Sequence, residues 1–188
     1  MPDQYDILED AVRYMFGSAV WSHKIQEKQA DIYYKKYRCT EKWNIVCCSL
    51  TSIGILCGLF SDCPSMKLLS LVLSLVLSCL TIFFTIYLKS YNFSDLIKSH
   101  KTAANMLLIV RNEIMYLITT IKLKNKTPIE IDESYNKLMN KANKIYMESP
   151  QTTDEAVAEA EISLNKKRDN SFTDEEIDSY LPESLRKR

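Results

Sequence analysis

The sequence is short of the residues that build catalytic centres and tight loops: its 188 residues include three glycines, five prolines and two histidines. With so few glycines, no phosphate-cradling loop or nucleophile elbow can be written, and His23 and His100 alone make neither a metal-binding helix nor a catalytic dyad. No enzyme activity, cofactor or metal is therefore expected. An excess of charge of either sign is also missing, because 24 Lys and Arg balance 24 Asp and Glu. That balance excludes the clearly basic surface of a general nucleic-acid binder, so direct nucleic-acid contact is not expected. The six cysteines form no C-x-x-C pair and no Cys/His cluster at metal-ligand spacing. Cys47, Cys48, Cys57 and Cys79 fall in apolar runs, with Cys39 before them and Cys63 between, which fits small apolar side chains better than disulfides.

Two stretches lack charge altogether. Leu68 to Leu88 supplies about 21 uncharged residues, matching the roughly 20 that a helix needs to cross the hydrocarbon core. Trp43 to Phe60 supplies about 18, at the low end of spanning length, and opens on an interfacial aromatic. Only Ser61, Asp62, Cys63, Pro64, Ser65, Met66 and Lys67 separate them, enough for a turn but not for a domain. The expected fold is all-α: a two-helix transmembrane hairpin (43–88, with spans 43–60 and 68–88) set between long cytoplasmic helices. The competing reading, a buried hairpin in a water-soluble fold, is disfavoured by the length and purity of the second run. Lys24, Lys28, Lys35, Lys36, Arg38 and Lys42 precede the first span and Lys89, Lys98 and Lys101 follow the second, whereas the turn carries only Lys67. Both termini are thus expected in the cytoplasm.

On a helix advancing about 100° per residue, Ser70, Ser74, Ser78, Thr81 and Thr85 share an arc of roughly 80°. Cys47, Thr51, Gly54 and Gly58 share a face of the first span, and Gly54 with Gly58 forms a GxxxG pair that permits close backbone approach. These faces either pack the hairpin and its neighbours, with hydroxyls bonding back to carbonyls of their own helix, or line a weakly polar, uncharged lumen in an oligomer. No acidic or basic residue lies in either span, which argues against a proton-coupled transporter or a charge-selective channel.

Outside the spans the pattern is helical. A short helix from Tyr5 to Phe16 is expected to end at Gly17, and a second runs from Ser18 to Lys42 into the membrane (residues 1–42 together). Lys28, Lys35 and Lys42 lie near one side of it, as contacts for lipid headgroups or for a phosphate ligand. Tyr91 to Lys122 is amphipathic, as is Ile129 to Met147. Thr152 and Glu155 are expected to cap a further helix from Thr153 to Lys167, completing region 89–168. Thr173 and Glu176 mark a last short helix in the tail 169–188. Its acidic cluster Asp174, Glu175, Glu176 and Asp178 reads as helix-dipole complementation more than as a cation site.

The aromatic and basic residues from Trp21 onward, the hairpin, the segment SDLIKSHKTAANMLLIVRNEIMYLITTI (94–121) and the tail FTDEEIDSYLPESLRK (172–187) together resemble the SLATT family, the SMODS and SLOG-associating two-transmembrane effectors. The resemblance covers nearly the whole chain, and its tail is the most specific part. It implies a membrane effector of a prokaryotic antiphage system, resident in the inner membrane. Such an effector assembles as a homo-oligomer and breaches the bilayer on a signal from a partner sensor or a nucleotide second-messenger synthase. Direct binding of a cyclic oligonucleotide is left open, and the family brings no catalytic motif. The alternative is a non-conducting membrane anchor that recruits a soluble enzyme through its cytoplasmic helices.

Overall fold

A computed structural model describes residues 4–166. The expected short helix that Thr173 and Glu176 mark, ending before Pro182, lies with its acidic cluster and the tail 169–188 outside the described residues. No strand occurs among them, and the chain runs as α1 (Gln4–Phe60), α2 (Pro64–Tyr91), α3 (Phe93–Lys122), α4 (Pro128–Glu148) and α5 (Asp154–Glu161), closed by a π-turn at Ile162–Lys166.

α1 is one uninterrupted helix of 57 residues, about 85 Å long at 1.5 Å per residue. The break expected at Gly17 is absent. One glycine in a helix interior costs only about 1 kcal/mol against alanine, and here the flanking turns are held by Val12, Met15 and Ala19, all buried in the core. α2 turns back along the outer half of α1, and the connection is tighter than expected: Pro64 occupies the first helical turn, so only Ser61, Asp62 and Cys63 lie outside helix. Proline is tolerated there because the N–H it lacks would have no helical partner.

Between α2 and α3 only Asn92 leaves the helical conformation, with φ of 41°. Asparagine is one of the few residues that accept this left-handed region, and its side-chain amide donates to Asp95 at the start of α3. α3 then descends along the inner half of α1, so α1 has one near-continuous antiparallel partner over most of its length. Both flanks of the hairpin consequently lie at the same end of it. There Val12, Met15 and Ala19 of α1, Leu107, Val110, Ile114, Leu117 and Ile121 of α3, and Ile131, Ala142 and Ile145 of α4 form one apolar core.

α4 starts at a capping box, in which the Thr127 hydroxyl accepts from the Glu130 N–H while the Glu130 carboxylate accepts from the Thr127 N–H. The Thr127 N–H and the Thr127 hydroxyl both donate to Glu130 Oε2, at 2.8 Å each, and hold the carboxyl below the usual carboxylate range. The expected cap of α5 is shifted by one residue: Thr153, not Thr152, accepts from Ala156 N–H, and α5 passes directly into the π-helical turn Ile162–Lys166, with Lys167 outside the described residues.

A Cβ built on Gly17 would meet no atom within 4 Å. Gly17→Ala should therefore stabilise the protein by roughly 0.5–1 kcal/mol, seen as a higher thermal midpoint of helical circular dichroism in detergent. An unchanged or lower midpoint would show that the helix needs freedom at that turn.

Candidate functional site

The hairpin presents two unlike surfaces. Its outer face carries large apolar side chains open on nearly every turn, among them Phe60 at 84 % exposure, Leu68 at 66 % and Phe83 at 60 %. Monomeric soluble proteins rarely expose continuous apolar patches of this size, and both helices are long and apolar enough to cross a membrane. Lipid tails are the solvent that such a surface fits.

The inner seam is built from small residues in antiparallel register. Gly58 meets Ser70 and Leu71, and Gly54 meets Ser74. A Cβ on Gly54 would stand 2.3 Å from Ser74 Oγ, and one on Gly58 would stand 2.7 Å from Ser70 Oγ. A side chain at either position would first displace a serine hydroxyl, so the two glycines let the helix backbones approach closely here. Further along, Asn44 Nδ2 donates to Thr85 Oγ1 at 3.4 Å, and Cys47 is buried. The hydroxyls are satisfied mostly within their own helices: Ser74 donates to the Ser70 carbonyl at 2.8 Å, Thr81 to Leu77 at 3.0 Å, Thr85 to Thr81 at 2.8 Å and Thr51 to Cys47 at 2.8 Å. Ser70 donates to Lys67 at 3.0 Å, while Ser78 is half-buried. The structure thus turns the Ser/Thr arc of α2 toward the Gly face of α1, and Ser74 is only 4 % exposed.

At the inner end of the hairpin, Phe93 is buried directly after the Asn92 elbow. Its ring lies 6.3 Å from Tyr33, 6.4 Å from Tyr37, 5.8 Å from Tyr87 and 5.6 Å from Tyr91, and Tyr33 continues to His100 at 5.5 Å. Aromatic rings at this level match the belt favoured at a membrane–water interface.

Below that belt, a buried polar layer crosses the bundle. His23 Nδ1 is 2.9 Å from the Ala104 carbonyl and must donate to it. Gln26 spends its amide N–H on the Pro150 carbonyl at 3.2 Å, so its oxygen faces His100 Nδ1 at 2.6 Å and accepts from it. Gln29 Oε1 accepts from both Thr153 N–H at 2.8 Å and Thr153 Oγ at 2.9 Å. These bonds tie the α4–α5 connection to α1. The sequence reading contains no such layer. Its signal was available: His23, Gln26 and Gln29 occupy positions that continue the core spacing of Val12, Met15 and Ala19.

The three candidate lysines do not converge. Lys28 lies 3.8 Å from Asp31 and Lys35 lies 3.5 Å from Glu159, while Lys42 is exposed at the edge of the first span. Among the described residues, no group of three His, Cys, Asp or Glu is placed to hold a metal ion.

A family model for the SMODS and SLOG-associating 2TM effector domain, family 4, matches residues 8–176. The chain belongs to this family. Membership implies a two-transmembrane effector of defence systems, and with the apolar hairpin it makes this a membrane protein. The match ends within the segment 172–187, so most of the tail that carried the resemblance lies beyond it. No curated protein and no solved structure matches the chain.

Burial pushes the His100 imidazole below its ordinary range. The unfolded chain then takes up a proton that the folded chain refuses, so stability is level above about pH 6.5 and declines as pH falls below it. His100→Gln should flatten that decline in unfolding measured across the same interval. An equal slope in the variant would place the titration elsewhere.

Proposed function

We propose that this chain is the membrane-breaching effector of a prokaryotic antiphage system. It sits in the inner membrane with both termini in the cytoplasm, and it acts as a homo-oligomer when a partner sensor or a nucleotide second messenger signals. The observation that carries the reading is the hairpin itself, whose lipid-compatible exterior encloses a weakly bonded seam of small and hydroxyl residues. Orientation rests on the excess of Lys and Arg before Trp43 and after Leu88 over the single Lys67 in the turn.

In the packed hairpin α1 covers the Ser/Thr arc at Ser74 and partly at Ser70, Ser78 and Thr81, and only Thr85 stays exposed. Conduction through that arc requires the seam between α1 and α2 to open and the freed faces to meet their counterparts in other subunits. Such repacking carries little loss in lipid: the seam holds few interhelical hydrogen bonds, and contacts between small residues can be remade between subunits. The same covered arc favours a second reading, a non-conducting anchor that presents its bundle to a soluble enzyme.

A built Cβ on Gly54 lies 3.6 Å from Ser74 Cβ, within the roughly 3.5–4.5 Å that a disulfide spans. In a background with the native cysteines replaced, Gly54→Cys with Ser74→Cys should lock the seam on oxidation. The expected result is loss of triggered depolarisation in oxidised cells or liposomes and its return with reductant. Equal depolarisation in both states would reject opening of this seam. Absence of depolarisation in the wild type together with its partner genes would favour the anchor.

A further inference from the structure

The short helix α5 carries Asp154, Glu155, Glu159 and Glu161 and no basic residue in eight positions. Its two fully buried side chains are small, Ala156 and Ala160. Its root is firmly tied, through the two bonds from Thr153 to Gln29. The rest is held electrostatically: Glu159 lies 3.5 Å from Lys35 and Glu155 lies 3.8 Å from Lys36, and the four side chains are 34–68 % exposed. Ion pairs this open and this long contribute little and are screened by salt.

Their position gives them a competitor. Lys35 and Lys36 precede Trp43 by seven or eight residues, about 10–12 Å along the helix. The headgroup layer takes up about 5–7 Å of that distance, leaving a gap shorter than the Debye length of about 8 Å at physiological ionic strength. An anionic lipid surface at that range attracts the two lysines and repels the Glu155 and Glu159 carboxylates paired with them, and both effects act against docked α5.

We propose that α5 is a displaceable acidic cover on a lipid-binding face of α1, where Lys35 and Lys36 exchange the carboxylates of Glu159 and Glu155 for the phosphates of anionic phospholipids. The proposal rests on the hairpin being in the membrane and is independent of whether the protein conducts.

The full chain in nanodiscs of phosphatidylcholine alone, or of phosphatidylcholine with an equal part of phosphatidylglycerol, provides the test by amide hydrogen exchange at 154–161, with α4 as internal reference. At low salt, exchange in α5 should rise at least about threefold with the anionic lipid while α4 stays constant. Lys35→Gln with Lys36→Gln should exchange fast in both membranes and lose most of the dependence on lipid. Wild-type exchange that ignores composition, a dependence undiminished in the double variant, or a parallel rise in α4 would each overturn the proposal. None of these readouts measures leakage, so failure here leaves the effector reading standing, and failure of that reading leaves this one testable.

Discussion

One helix in this protein has to satisfy two solvents. α1 runs without interruption from a water-exposed bundle into a segment whose side chains fit only lipid, and every other element is arranged around that rod. In its outer half it has one neighbour, α2, and with no hydrophobic drive between helices in lipid, their contact relies on close approach at Gly54 and Gly58. In its inner half it packs by ordinary apolar burial against α3 and α4, through Leu107, Ile114 and Ile131. The two halves use different physics on one backbone.

The junction between these regimes is where the chain concentrates its specific chemistry. The Asn92 elbow, the ring cluster around Phe93 and the His/Gln layer beneath it lie in sequence along α1 from the interface inward. Because α1 has no break at Gly17 or at Trp43, a rotation or shift imposed on its bundle half reaches the glycine seam as a rigid displacement. The elements that can impose such a shift are those tied to α1 by polar bonds rather than by deep apolar packing, namely the α4–α5 connection through Gln26 and Gln29, and α5 through Lys35 and Lys36. Polar ties are broken and remade more readily than a packed core.

Much of this was legible in the sequence. The two uncharged runs gave the hairpin, the threes and fours of Leu107, Val110, Ile114, Leu117 and Ile121 gave α3, and the family resemblance agrees with the family match. The misreadings are local and physical. At Gly17 and the cap of α5 the structure departs from the spacing because a single glycine, or one of two adjacent threonines, is decided by the packing on either side, which sequence spacing does not contain. The capping box at Thr127 and Glu130 is legible as T-x-x-E around Pro128. That the Ser/Thr arc and the Gly face meet within one hairpin was not determined by their periodicity, since either face could equally have served another subunit. The polar layer needed a partner from residues 150–153, more than 120 positions away in the chain, and no local pattern announces such a pairing.

Solvation of the hairpin by lipid, with both flanks on one side, is the claim beneath all the others, and single-cysteine chains labelled with a membrane-impermeant maleimide test it most directly. In intact spheroplasts Cys63, exposed in the turn, should react from outside, and Cys39, exposed just before the first span, should react only after permeabilisation. Labelling of Cys39 and Cys63 from the same side, or recovery of the unlabelled chain in the soluble fraction, would contradict the account.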